Sequence, residues 1–273
     1  MSKLPIWQIL VDRGLCQSRK DAESWIMMGK VLVNTARIDK SGTKIDENEN
    51  IVVKGIVQKY VNKGGLKLEY ALQQFDIDII NKVTIDCGAS TGGFTDCLLQ
   101  HGAKLVYAVD AGFGQLVGRL RNNEKVVNFE KTNLSDVISL NLNPKPEVAS
   151  VDLSYLSLKK AVPIFAEIML NQGDLICLVK PIFEVNNSDV RRTGEINDEL
   201  MFRDILFDLM NDINSKGYSI RAITNSPITG NKGTREFFMH ISLQSNSSES
   251  DSTLKSQIEL SIKRAMDLDR YKK

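Results

Sequence analysis

The chain has 273 residues, 42% hydrophobic and 25% charged, with a formal net charge of +1; this excludes a wholly disordered polymer and leaves room for one sizeable domain plus a small one. Its longest apolar runs are broken by charge or glycine well short of the ~20 residues that a membrane helix needs, and no signal-like segment opens it, so a cytoplasmic protein without a membrane partner is expected. Cys16, Cys87, Cys97 and Cys177 lack paired spacing and only His101 and His240 could join them, so no metal is expected and the thiols read as reduced and structural.

Charge is divided unevenly. Met1 to Lys67 holds 12 Lys and Arg against 7 Asp and Glu, so this stretch carries +5 and the remainder −4. A basic small segment on a mildly acidic body fits a polyanion-binding module attached to a catalytic domain, although a solvated basic face gives the same imbalance. Helical spacing predicts helices over Ile6 to Arg13 and Arg19 to Met28, the second capped by Ser18 and ended by Gly29. Val31-Leu32-Val33-Asn34 alternates and turns, Lys40-Ser41-Gly42-Thr43 turns again, and Ile51-Val52-Val53 closes a compact α+β unit over residues 1–58, with 59–66 as a linker.

From Lys67 the pattern becomes α/β. Strands are predicted at 83–86, 104–109, 125–129, 147–152 and 174–180, helices at 93–101, 114–121, 157–170 and 196–216, and final strands near 218–224 and 236–243. Single helical patterns between strands imply parallel βαβ units, and the short last connection implies an antiparallel hairpin at the sheet edge. The expected fold class is therefore α/β: a Rossmann-type methyltransferase sheet over 67–246, mostly parallel with an antiparallel last strand, beside the small N-terminal α+β domain. A serine-rich run from Gln244 to Ser252 precedes an amphipathic helix from Leu254 to about Leu268, and residues 247–273 read as linker and C-terminal helix.

Candidate chemistry gathers at strand ends. Asp86 leads from the apolar run Val83 to Ile85 into a small, glycine-rich turn ending at Phe94, where glycines let a ligand approach the backbone. Seventeen residues beyond Gly93, Asp110 ends the next strand, where open α/β sheets hold a ribose; two such corners suggest an adenosine-type cofactor. Serine at Ser90 replaces the second glycine of G-x-G-x-x-G, so a pyrophosphate would meet a side chain where bare backbone is needed. That disfavours NAD and favours S-adenosylmethionine, whose sulfonium and amino-acid groups need room and a carboxylate such as Asp86. Asp152 and Lys180 end consecutive strands, and Lys67 and Glu236 would complete a set of two lysines and two carboxylates. Spacing alone does not bring the four together, and each taken singly also reads as an ordinary surface ion-pair group.

Seven segments, in order, carry a resemblance: G-G-L-K-L from Gly64, D-C-G-A-S-T-G-G-F-T-D-C-L-L from Asp86, V-D-A-G-F-G-Q-L from Val109, E-K-T-N from Glu130, D-L-S-Y-L-S-L from Asp152, K-P-I-F-E from Lys180 and S-P-I-T-G from Ser226. Spanning nearly the whole chain, they resemble the TlyA family, ribosomal RNA 2'-O-methyltransferases often labelled haemolysins. The resemblance implies an FtsJ-like catalytic domain and an S-four-type RNA-binding domain, the latter supported by S-R-K-D-A from Ser18 and G-K-V-L-V-N from Gly29. It implies a catalytic tetrad of Lys67, Asp152, Lys180 and Glu236, and S-adenosylmethionine held by Asp86, Gly88, Ser90, Thr91, Gly92, Gly93, Phe94, Asp110, Asn133 and Asp152. It further implies RNA contacts by Arg13, Ser18, Arg19, Lys20, Lys30 and Asn34, with ribosomal RNA or ribosomal subunits as partner, cytidine as target and no obligate protein partner. A ribose hydroxyl is a poor nucleophile at neutral pH and must lose its proton as it reacts; a neutral Lys180 would be the general base, with positioning alone as the other reading of the tetrad.

Departures from the family pattern are Pro5 and Trp7 in place of Arg and Asp, Asn62-Lys63 in place of Ser-Arg, Ile182 in place of Gln, and Thr234 in place of Asn. Two other functions compete: a non-catalytic RNA-binding or ribosome-assembly factor, and a membrane-active haemolysin. A retained tetrad opposes the first. The second is opposed by a C-terminal helix carrying Lys255, Glu259, Lys263, Arg264 and Asp267.

Overall fold

The computed structural model describes residues 3–16, 18–47, 49–55, 59–185, 190, 196, 198–230, 233–244 and 249–268. Two units divide the chain, Met1–Gly64 and Gly65–Lys272.

The first unit contains β1 (Lys3–Pro5), α1 (Ile6–Asp12), α2 (Arg19–Met27), β2 (Val31–Val33), β3 (Ala36–Arg37), β4 (Lys44–Asp46) and β5 (Ile51–Val53). Alternation points Val31 and Val33 of β2, and Ile51 and Val53 of β5, inward, where they join Ile6, Ile9 and Leu10 of α1 and Ala22 and Ile26 of α2 among the buried residues. β2 is the middle of an antiparallel sheet, β3-β2-β5. The Ser18 side chain caps α2, accepting from the Asp21 amide at 3.2 Å. β1 and β4 form a further antiparallel ladder that the sequence reading missed, being three residues each without apolar alternation.

In the second unit come α3 (Lys63–Phe75), β6 (Val83–Cys87), α4 (Gly93–Gln100), β7 (Leu105–Val109), α5 (Gly118–Arg121), β8 (Val126–Phe129), a 3-10 helix (Leu134–Leu140), β9 (Val148–Val151), α6 (Leu158–Ile168), β10 (Asp174–Val179), α7 (Pro181–Glu184), α8 (Glu199–Ser215), β11 (Ser219–Asn225), β12 (Phe237–Ser242) and α9 (Asp251–Met266). The seven strands lie in the order β11-β12-β10-β9-β6-β7-β8, parallel except for β12, which runs antiparallel to both neighbours. This is the expected Rossmann-type sheet, with the hairpin at its edge.

Phe237 and Phe238 show that both faces are covered. Successive strand residues point to opposite sides; Phe237 meets Phe202 of α8 edge-on at 5.6 Å, and Phe238 stacks on Phe94 of α4 at 6.3 Å. On the Phe237 side, α6, α8 and α9 bury Val162, Phe165, Leu206, Leu209, Ile258 and Ile262 against Ile85, Val151 and Leu175. Among the described residues, no helix is long and apolar enough to cross a membrane.

Four elements depart from the sequence reading. Residues 63–66, read as linker, are the first turn of α3: Gly64-Gly65 suggested a break, but the Asn62 carboxamide caps the Gly64 amide at 2.7 Å and Gly65 is buried by packing. The helix expected over 114–121 shrinks to Gly118–Arg121, since Gly114 takes φ +68 and Val117 is extended. α8 begins only at Glu199, after its Asp198 cap. α9 starts at Asp251 with Ser250 as cap, so the run expected as linker to Ser252 ends sooner; residues 245–248 of that run lie outside the described residues.

α9 is no appendage. Leu254, Ile258, Ile262 and Ala265 belong to the main core, and the Gln257 side chain accepts the Ile223 amide of edge strand β11 at 2.9 Å. Ile258→Ala should therefore lower the unfolding free energy by roughly 2–5 kcal/mol, read from urea denaturation. A change under about 0.5 kcal/mol would mean that the helix adds nothing to the core.

Candidate active site

Strand register gathers the tetrad. Cys177 of β10 pairs with Val151 of β9, and Val179 of β10 pairs with Phe237 of β12, so Asp152, Lys180 and Glu236, each one residue beyond its strand, reach the same sheet edge. This is the edge where the strand carboxyl ends of open α/β sheets hold their ligands. The four residues form two ion pairs. Lys67, projecting from α3, is hydrogen-bonded to Oε2 of Glu236, and both are buried at 6% and 5% exposure. Lys180 Nζ lies 2.5 Å from Oδ1 of Asp152 and donates to Oγ of Ser154 at 3.2 Å, with side-chain exposures of 19% for Lys180 and 28% for Asp152. The first pair is closed to water; the second is reachable.

Gly230 seats the buried pair. A Cβ there would fall on Oε1 of Glu236 and Oγ1 of Thr234, so only glycine leaves the carboxylate in place. Glu184 of the K-P-I-F-E segment, also buried, accepts the Ser157 hydroxyl at 2.5 Å and the Leu158 amide at 2.8 Å, tying the segment after Lys180 to the start of α6. Burial raises its carboxyl above the ordinary range, against the opposing pull of those two hydrogen bonds.

Around the glycine-rich turn, the expected ligand residues separate into two groups. Ser90 and Thr91 are exposed, Asp110 is half-buried and Asn133 is exposed at the head of the 3-10 helix, all at the edge where β6 leaves one neighbour for the other. Asp110 organises this corner: Oδ2 accepts the Ser90 amide at 2.8 Å and Oδ1 the Gly112 amide at 2.6 Å, while Ser90 sits at φ +48. Gly88 and Ala89 donate to the Val109 carbonyl at 2.9 and 3.1 Å, fastening the turn to β7.

The second group is engaged by the chain itself. Asp86 has no solvent exposure, and its oxygens accept Thr95 Oγ1 at 2.6 Å and Ser150 Oγ at 3.0 Å. Phe94 is core, stacked on Phe238. Gly88, at φ +89, admits the Asp152 carbonyl oxygen where a Cβ would fall, and Gly92, at φ +103, admits Leu120 and Leu116; close approach here is by the chain's own atoms. Gly93 is buried as the first residue of α4. Sequence reasoning missed Ser154, Glu184 and Gly230 as site residues, although each lies inside a quoted motif.

Among the expected RNA contacts, Lys20 and Lys30 are exposed. Arg19 is exposed, pairs with Glu23 at 2.8 Å and lies 4.8 Å from the centroid of the Trp7 ring. Arg13 donates to the Glu47 carbonyl, and Ser18 is the α2 cap. Asn34 occupies a left-handed turn at φ +55, donating to Glu49 at 2.8 Å. Ser18 and Asn34 thus have structural work. All four cysteines are free and buried, and no metal-ligating group of three or more appears among the described residues.

Burial raises the Asp86 carboxyl to about 7, opposed by its bonds from Thr95 and Ser150 and reinforced by the Asp152 charge. The folded chain keeps this proton up to about pH 7, whereas the unfolded chain releases it near 3.8. The resulting stabilisation is whole below about pH 3.8 and is lost as pH rises through about 7. Between about pH 4 and pH 8, the unfolding free energy of the wild type minus that of Asp86→Asn should fall by up to about 4 kcal/mol in urea titrations. A constant difference would mean that the carboxyl stays ionised in the fold.

Comparison with known proteins agrees with this arrangement. Residues 60–243 match the FtsJ-like methyltransferase family and residues 5–51 match the S4 domain. YqxC of Bacillus subtilis is 41% identical over 234 residues, 85% of this chain and 83% of that protein. The 16S/23S rRNA (cytidine-2'-O)-methyltransferase TlyA of Mycobacterium tuberculosis is 32% identical over 238 residues, 87% of this chain and 89% of that protein. A solved structure from Streptococcus thermophilus that carries the label hemolysin superposes with a TM-score of 0.80 at 35% identity, covering 97% of this chain and 96% of that one. With a tetrad paired at the sheet edge and both domains matched in order, the chain belongs to the TlyA family of FtsJ-like methyltransferases that carry an S4 domain.

Proposed function

We propose that this chain methylates the 2'-hydroxyl of a cytidine in ribosomal RNA, using S-adenosylmethionine. The observation that carries the reading is the reachable Lys180–Asp152 pair, set beside the buried Lys67–Glu236 pair at a methyltransferase sheet edge. Residues 1–58 would bind RNA and residues 67–246 would do the chemistry, in the cytoplasm where ribosomes are made.

The corner fits the cofactor. Exposed Ser90 and Thr91, the Asp110 carboxylate, Asn133 and the Asp152 carboxylate offer hydrogen-bonding groups and negative charge suited to a ribose and a sulfonium amino acid. S-adenosylmethionine, when bound, supplies an electrophilic methyl group. Lys180, when neutral, takes the proton of the ribose hydroxyl as that oxygen becomes a nucleophile. Asp152, 2.5 Å away, then faces the ammonium so formed and stabilises it. The buried pair holds the strand end that carries Glu236 at the edge where Lys180 lies. Lys20, Lys30 and the Trp7-supported Arg19 supply cations for phosphate contact, which orients RNA without reading its bases. Modification of a 2'-hydroxyl demands RNA, the nucleic acid that has one.

A haemolysin reading loses its amphipathic helix, because the apolar side of α9 is spent in the core. Purified protein with labelled S-adenosylmethionine and ribosomal RNA should place label on cytidine ribose; label on bases, or none, would overturn the reading. Lys180→Ala should lower the rate by roughly 10²–10⁴-fold while cofactor binding by calorimetry is retained. Gly230→Ala leaves backbone conformation unstrained but displaces Glu236 from Lys67, and should cost about tenfold to 100-fold in kcat with little change in RNA affinity.

A further inference from the structure

We infer that Ser154 is a positioning residue that aims the base, a role resting on the proposed ribose methylation. A neutral lysine amine has two hydrogens and one lone pair. Lys180 Nζ donates to Oγ of Ser154 at 3.2 Å and lies 2.5 Å from Oδ1 of Asp152, an ion-pair contact outside hydrogen-bond geometry. With one hydrogen held by Ser154, and the Asp152 charge repelling a lone pair, the lone pair is turned away from both groups. Asp152 alone does not fix it: a charge contact leaves the amine free to rotate about the Cε–Nζ bond, and the directional bond to Ser154 removes that freedom.

Ser154 is well placed for this work and has no packing duty, since it is exposed. The loop that carries it is pinned on both sides. Before it, the Asp152 amide donates to Cys87 at 2.9 Å and the Asp152 carbonyl fills the space left by Gly88. After it, Ser157 and Leu158 bond to buried Glu184, and the Tyr155 ring lies 5.2 Å from that of Phe183. Tyr155 itself takes φ +70, a left-handed conformation that is costly for an aromatic residue and persists only where neighbours enforce it. An exposed hydroxyl on an enforced loop, bonded to the base, is an aiming device. In the step it serves, the hydroxyl O–H bond breaks, the oxygen keeps the bonding pair, and the nitrogen lone pair forms the new N–H bond. The ammonium then returns its proton to water.

The test compares Ser154→Ala, Ser154→Thr and Ser154→Val in the full chain. Ser154→Ala should lower kcat by about 10–100-fold, with KM for ribosomal RNA, calorimetric affinity for S-adenosylmethionine and the unfolding midpoint each within about twofold. Ser154→Thr keeps the hydroxyl and should recover to within about threefold of the wild type, while Ser154→Val, of the same shape, stays as slow as the alanine variant. Unchanged kcat in Ser154→Ala, or equal rates for Thr and Val, would overturn the role of Ser154 with the reaction intact. A wild-type chain that places no methyl on ribose would overturn the reaction itself, and this role with it.

Discussion

One buried carboxylate holds the catalytic half of this chain together. Asp86 lies at the centre of the sheet, where β6 has β9 on one side and β7 on the other, and it is register-paired with Ser150 of β9. Its two oxygens take the Ser150 hydroxyl from the neighbouring strand and the Thr95 hydroxyl from α4, so a single side chain binds strand, strand and helix at the point where the connection reverses. A polar group without solvent is tolerable only when it is hydrogen-bonded, and each oxygen here accepts one hydroxyl. Gly88 then lets the Asp152 carbonyl close on the turn, and Asp152 in turn reaches Lys180. The placement of Asp152 beside Lys180 therefore descends from packing around a fully buried residue.

The two ion pairs differ because their surroundings differ. Lys67 and Glu236 are both nearly free of solvent, and a buried pair of this sort gains little over an apolar pair, yet loses several kcal/mol if either partner is removed. It acts as an all-or-none lock on the strand end that carries Glu236. Lys180 and Asp152 keep contact with water, with side-chain exposures of 19% and 28%. A substrate can therefore approach the second pair, whereas the first is covered. Dividing four charged groups into a closed pair and an open one separates holding from reacting.

Much of this was legible in the sequence. Parallel strands and the closing hairpin need only the βαβ rhythm, and register brings three of the residues picked from the motifs to one edge. What was lost involved partners far apart in the chain. Asp86 looks like a ligand residue because it precedes a glycine turn; that Ser150, distant in sequence, would cover it has no local signal. Phe94 is ambiguous for the same reason, its partner Phe238 lying on a strand of the opposite end of the domain. Local cues also misled: Gly64-Gly65 reads as a break, although one capping carboxamide makes it a helix start. Ser154 and Glu184 were in plain view within motifs, but the acceptor of a lysine hydrogen is visible only in three dimensions.

The small unit shows how a departure from the family pattern can be absorbed. Trp7 stands where the resemblance leads one to expect an acid. In this chain, the indole instead lies 4.8 Å from the Arg19 guanidinium, and Glu23 one turn further along α2 supplies the charge at 2.8 Å. A surface arginine on an aromatic face is held by roughly 0.5–1 kcal/mol, and an exposed pair at this spacing by about 0.3–0.5 kcal/mol. Both holds are weak beside a phosphate, which accepts bidentate bonds and releases counterions. A phosphate placed beside Arg19 would therefore displace Glu23 at little cost, while the Trp7 ring keeps the guanidinium oriented.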